Sequence, residues 1–257
     1  MGYSDAKYFT PSLHDEHIAR AKRSSYVPTL AQIHKIIAQM PTATIVERRN
    51  RALIAFTILT SPRDGATISI RMKHVDMIGR KIVQDGADMK TKFRKTFSTF
   101  FFPVGGVAEE IVSDWITELR TDHLFGPDDP VFPKTKVGCG ATGGFEALGL
   151  DRAPWASTTA ICDIFKQAFE INGLPHATPH SFRHTLGLYG LDVCKTHAEL
   201  KAWSQNLGHS NMMTTLMSYG NISEADQGTL IANIGEDHRD SDQAARIAKI
   251  KEMAAAL

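Results

Sequence analysis

The residues of this chain best suited to chemistry cluster late: His180, Arg183 and His184 within one short stretch, then Leu207-Gly208-His209, then Tyr219 ten positions after that histidine. Guanidinium and imidazole groups suit a phosphate, because their N–H donors hold and neutralise its non-bridging oxygens. Phosphodiester chemistry without a metal needs such donors, a group that takes the nucleophile's proton and another that protonates the leaving alkoxide. The order of residues supplies most of that set and reads as a phosphate-binding clamp with a phenolic nucleophile beside it.

A metal centre is the competing reading of His180 and His184, which share the i, i+4 spacing of a zinc-binding helix. The glutamate that should follow the first histidine is missing, as is an obvious third ligand, so neither metal nor cofactor is expected. His184 is read instead as a packed, hydrogen-bonded residue behind the site. Tyr189 is the competing phenol; it lies mid-helix on an apolar stretch with Leu186 and Leu188 and is read as core.

The series His180-x-x-Arg183, Leu207-Gly208-His209, Tyr219 resembles the second catalytic box of the tyrosine recombinases, the phage integrase family. The resemblance implies that Tyr219 is the nucleophile, that His209 donates a hydrogen bond to a non-bridging oxygen, and that His180 exchanges protons with the tyrosine or the phosphate. In the family the tyrosine follows the histidine by nine residues rather than ten. The first family box, a helix ending in Thr-Gly-Leu-Arg, stands here as Thr60-Ser61-Pro62-Arg63, continuing through Ala66-Thr67-Ile68-Ser69-Ile70. Arg63 is thereby the first clamp arginine and Arg183 the second. The chain departs from the pattern at Ala66, where the family usually has a carboxylate that orients the site. A lysine on a β-hairpin turn completes the family set. Thr91-Lys92-Phe93-Arg94-Lys95, with Pro103 closing the strand, resembles it, and Lys92 is the choice for general acid, with Lys90 its rival.

What the resemblance implies is a site-specific DNA recombinase or integrase, cleaving and rejoining double-stranded DNA through a 3′-phosphotyrosyl intermediate without metal or ATP. It further implies a homo-oligomer, tetrameric on paired sites. A type IB topoisomerase or telomere resolvase shares the chemistry, and a DNA-binding module with impaired catalysis is the alternative from another class.

These side chains need a scaffold, and 257 residues with 42% hydrophobic content are enough for a sizeable core. No apolar run reaches the ~18 residues of a membrane span, and the N-terminus opens no signal-peptide core, so a cytoplasmic protein with no membrane partner is expected. The three cysteines, Cys139, Cys162 and Cys194, are widely spaced and read as reduced and partly buried. A net charge of +1 hides two opposed regions. From Arg71 to Lys95 the chain is strongly cationic, and from Glu224 to Asp242 it is acidic. A basic working face is expected on the first.

The expected fold class is α+β, mostly helical with a small antiparallel β-sheet. Residues 1–25 read as a linker, 26–239 as the catalytic domain, and 240–257 as a C-terminal helix that folds back or passes to a neighbouring subunit. The family's preceding DNA-clamping helical domain has no room here, so a fragment or a minimal member is expected. Thr29 and Gln32 form a candidate capping box before the helical repeat of Ile33, Ile36, Ile37 and Met40. Further helices are expected over 47–60, 107–119, 157–171, 182–194, 198–206 and 212–218. Short strands are expected over 74–77, 81–84 and 96–102, loops at 126–130 and in the glycine-rich segment 138–149, and an extended turn at His180.

Overall fold

The computed structural model describes residues 26–91, 94–139, 143–209, 227–229 and 231. Lys92, Tyr219, the expected helix over 212–218 and both chain ends lie outside them. The chain divides into two compact units, Met1–Met212 and Met213–Leu257. Among the described residues of the second, Gln227–Thr229 and Ile231 are helical.

The first unit is α+β. Helix α1 (Leu30–Gln39) starts at the expected box, in which the Thr29 hydroxyl accepts from the Gln32 N–H while the Gln32 side chain accepts from the Thr29 N–H. It buries Ile33, Ile36 and Ile37. Helix α2 (Ile45–Thr60) opens with an equivalent box between Thr44 and Glu47. It is buried along most of its length, with Ala52, Leu53, Ile54, Ala55, Phe56 and Ile58 all at 0% exposure, so it forms the central rod of the core. A short helix α3 (Asp64–Ser69) follows, then a 3₁₀ turn over Met72–His74.

Strands β1 (Val75–Asp76), β2 (Lys81–Gln84) and β3 (Phe97–Phe100) form an antiparallel sheet in the order β1-β2-β3, with Lys81 opposite Phe100 and Gln84 opposite Phe97. Helix α4 (Ala108–Thr121) packs against α2 and fixes Trp115, whose indole N–H donates to the Val131 carbonyl at 2.9 Å. The glycine-rich segment departs from expectation. Instead of a loop it is part of a two-stranded hairpin, β4 (Thr135–Cys139) and β5 (Phe145–Leu150), with Cys139 opposite Phe145. Its Cys139 is exposed rather than partly buried, while Cys162 and Cys194 are half-buried as expected.

Arg49, only 3% exposed, ties this hairpin to α2. Its guanidinium donates to the Pro133 carbonyl at 2.8 Å and the Thr135 hydroxyl at 3.0 Å, and lies 5.0 Å from the centre of the Trp155 ring. Burial lowers its pKa to about 10, which leaves it charged at neutral pH.

Helices α5 (Thr159–Ile171), α6 (Pro179–Val193) and α7 (His197–Asn206) complete the unit. Phe182 on α6 meets Phe165 and Phe169 on α5 edge to face, with ring centres 5.0 and 6.1 Å apart. Helix α7 crosses α6 at Gly190, where a Cβ would come within 2.3 Å of the Trp203 indole nitrogen. That indole donates to the Leu186 carbonyl at 2.9 Å, so the absent side chain at Gly190 lets the two helices meet closely enough to bond.

Candidate active site

Arg63, His180 and His209 stand where a regular element stops or starts. Helix α2 ends at Ser61, whose left-handed backbone (φ 48°, ψ 46°) turns the chain while its N–H still reaches the Thr57 carbonyl at 2.8 Å. Pro62 cannot continue the helix. Arg63 then becomes the N-cap of α3, half-buried, with its own carbonyl accepting from the Thr67 N–H at 2.9 Å.

At the second box the structure corrects the expectation of an extended turn. Thr178 caps α6, its hydroxyl accepting from the Ser181 N–H at 3.3 Å, and Pro179 occupies the first turn, where a missing N–H costs nothing. His180 and Arg183 therefore sit on one helix, a single turn apart.

Arg183 is 6% exposed and faces inward. One terminal nitrogen of its guanidinium donates to the Ser61 carbonyl and the other to the Leu207 carbonyl. Ser61 lies two residues before Arg63, and Leu207 two residues before His209. One buried cation thus pins both turns that carry the other phosphate-binding candidates. After α7, Gly208 takes a left-handed backbone (φ 71°), and a Cβ there would come within 3.0 Å of the Phe97 ring. That turn brings the His209 N–H onto the Ser204 carbonyl at 3.1 Å.

Arg63 and His209 line one cleft of about 580 Å³ between β3 and α7, together with Lys95, Phe97, Phe100 and Gln205. Its far wall is clipped shut by Asn206, whose side chain accepts from the Phe100 N–H at 2.7 Å and donates to the Phe100 carbonyl at 2.9 Å. Lys95, not singled out from the sequence as a candidate, lines the same cleft. Spacing from Pro103 could not distinguish it from its neighbours; only the fold puts it beside Arg63 and His209. Lys90, the rival general acid, has its backbone N–H on the Ser69 hydroxyl at 2.9 Å. Its carbonyl lies 3.1 Å from where a Cβ of Gly65 would be, so the hairpin connection rests directly on the first turn of α3.

The fold also redraws the basic segment. Arg71 and Lys73 pair with Asp88 and Asp128 at 2.7 to 3.5 Å, and Arg80 pairs with Glu109 at 2.7 Å. Among the described residues, Lys90, Arg94 and Lys95 have no such partner. The basic face contracts to the tip of the hairpin nearest the cleft.

Burial and nearby arginines favour the neutral forms of His209 and His180. Burial, then the charges of Arg183 and Arg63, lower the pKa of His209 to about 4, so at neutral pH it is an uncharged imidazole able to donate a hydrogen bond without titrating. Burial also lowers His180, aided by Arg183 and Arg63 and opposed by Asp64. Asp64 is itself raised by burial and offset by His180 and Arg183. Ala66, at the family's carboxylate position, is 1% exposed; the carboxylate whose field reaches His180 stands two residues earlier.

The His209 shift carries a stability prediction. In the unfolded chain the imidazole takes its proton near 6.5, whereas the folded protein refuses it until about 4. Its contribution is complete above 6.5 and is lost as the pH falls towards 4, because the unfolded state alone binds the proton in that window. The lowered values of His180, His74 and His34 act in the same direction. Thermal denaturation followed across this window should show Tm falling with acidification, and His209→Gln should flatten the fall. A Tm independent of pH there would contradict the assignment.

Among the described residues no group of three or more histidine, cysteine or acidic side chains is placed to hold a metal. None of their helices is long and apolar enough to cross a membrane.

A helical body with a small antiparallel sheet, and a cleft lined by Arg63 and His209 on turns pinned by Arg183, is the architecture of a tyrosine recombinase catalytic domain. The chain belongs to the phage integrase family, whose model matches residues 28–225. It is 23% identical over 178 residues to the tyrosine recombinase XerC of Roseiflexus sp. (strain RS-1), covering 69% of this chain and 49% of that protein. The XerC of Bifidobacterium longum (strain DJO10A) is 25% identical over 173 residues, covering 67% of this chain and 43% of the relative. The chain thus spans about half the length of these relatives. Among solved structures it resembles the Tn1549 transposon integrase in complex with a circular intermediate DNA, with a TM-score of 0.56 and 15% identity over 83% of this chain and 67% of that one. The XerA recombinase gives a TM-score of 0.52 with 17% identity, covering 85% of this chain and 66% of that chain.

Proposed function

We propose that this chain is the part of a site-specific DNA recombinase that cleaves and rejoins strands. Tyr219 attacks a backbone phosphate of double-stranded DNA. Its oxygen forms the new P–O bond, its proton passes to His180, and the 5′ oxygen leaves with a proton from a hairpin lysine, Lys92 or the cleft-lining Lys95. Arg63, Arg183 and neutral His209 hold the non-bridging oxygens as charge builds on them in the transition state. The bond energy stays in the phosphotyrosyl link, so neither ATP nor a metal is required. The observation that carries this reading is the position of Arg183, which ties the Arg63 turn to the His209 turn. A tetramer on paired sites, with the C-terminal helix passed between subunits, belongs to the same proposal.

The test is covalent trapping on a nicked suicide substrate in the presence of a chelator. A 3′-phosphotyrosyl adduct should form at an unchanged rate; a reaction that stops when zinc or magnesium is removed would overturn the metal-free mechanism. Failure to form any adduct, with binding retained, would favour the DNA-binding module instead.

A further inference from the structure

His180 and His184 face each other on α6 with their Nε2 atoms 3.2 Å apart. The ring centres are 4.9 Å apart and the planes stand at 80°, so the contact is an edge-on N–H···N bond rather than a stack. Such a bond requires one Nε2 to carry the hydrogen and the other to offer its lone pair, which couples the tautomers of the two rings. It also engages the Nε2 of His180. The ring atom left to exchange a proton with substrate is Nδ1.

Burial and the nearby arginines favour the neutral form of His180 at rest. Arg183 and Arg63 bring positive charge towards His180 from α6 and the α2–α3 turn, and Asp64 only partly offsets them. An imidazolium formed at His180 is stabilised by a hydrogen-bond acceptor, and His184 Nε2 stands at hydrogen-bond distance from its Nε2.

We propose that His184 is a positioning residue for His180: it fixes the ring's angle and tautomer and accepts the Nε2–H bond of the imidazolium formed when the tyrosine gives up its proton. In that step the phenolic O–H breaks, Nδ1–H of His180 forms, and the oxygen's electron pair makes the P–O bond while the 5′ oxygen departs. The inference rests on the recombinase reading and adds to it a residue that does not touch the phosphate.

The experiment measures the rate of adduct formation on a nicked suicide substrate, and DNA affinity in parallel, for His184→Phe, His184→Gln, His180→Gln and the double variant His180→Gln/His184→Phe. Phenylalanine keeps a flat ring but no nitrogen, and should slow adduct formation about tenfold, the worth of one hydrogen bond to a charged group, with DNA affinity unchanged. Glutamine can accept the bond and should recover to within about threefold of wild type. Because the effect passes through His180, the double variant should be no slower than His180→Gln alone. Losses that multiply in the double variant, or a glutamine variant as slow as phenylalanine, would reduce His184 to packing and overturn the proposal. Should His184→Phe lose DNA binding through misfolding, His184→Ala compared with His184→Gln reads the same difference. Absence of adduct with the wild-type protein would sink the recombinase reading itself, a distinct outcome.

Discussion

Arg183→Lys is expected to lower the rate of covalent adduct formation by about 10²- to 10³-fold, nearly as much as Arg183→Ala. A guanidinium is planar and offers N–H donors on two arms, so one group can bond the Ser61 carbonyl with one arm and the Leu207 carbonyl with the other. A guanidinium carries five N–H donors in all. An ammonium is a point charge on a flexible stem and cannot span the same two acceptors. Whichever carbonyl it abandons is left buried without a donor, at a cost of about 1–3 kcal/mol, and the turn that this carbonyl fixed loosens. Arg63 or His209 then drifts from the cleft even though the net charge is preserved. The variant should also melt at a lower temperature than wild type. Recovery of near-normal cleavage by lysine, measured on the suicide substrate at saturating protein, would show that Arg183 acts through charge alone.

How much of this arrangement can be read from residues alone depends on whether the signal is local. Capping at Thr29 and Gln32 is a local hydrogen-bond exchange, and the helix begins there as expected. The strand over Lys81–Gln84 alternates half-buried and buried residues and forms within its expected bounds. The turn expected at His180 is a helix because Thr178 and Ser181 make a reciprocal box around Pro179, a pattern present in the sequence but passed over beside the chemically active residues.

Other features are tertiary. The β4–β5 hairpin carries exposed Val137, Phe145 and Leu148 among glycines, so it shows no inward apolar face from which a strand could be inferred. Arg71 and Lys73 count as basic surface until the fold brings Asp128, more than fifty residues away, against them. The order of arginines and histidines was legible because the resemblance is to an ordered motif. The hydrogen bonds by which Arg183 holds two separate turns were not, since nothing in the spacing of Ser61, Arg183 and Leu207 marks them as partners.

Tyr219→Phe is expected to bind DNA with wild-type affinity and to form no detectable covalent adduct, because the substitution removes only the phenolic oxygen that would become part of the ester. The comparison that makes the result specific is Tyr189→Phe. Tyr189 is the other phenol on the second box, half-buried on α6, and its hydroxyl donates to the Pro103 carbonyl at 3.3 Å. Its ring lies edge-on to Trp203 with centres 5.9 Å apart, and its neighbour Leu186 is fully buried while Leu188 is 43% exposed. A phenol held against the edge of the core with its proton committed to a backbone carbonyl is poorly placed to attack a phosphate. Its loss should cost at most about 1 kcal/mol of stability and leave the adduct intact. Mapping the adduct peptide to Tyr189, or trapping an adduct with Tyr219→Phe, would move the nucleophile and with it the direction from which the phosphate must enter the cleft.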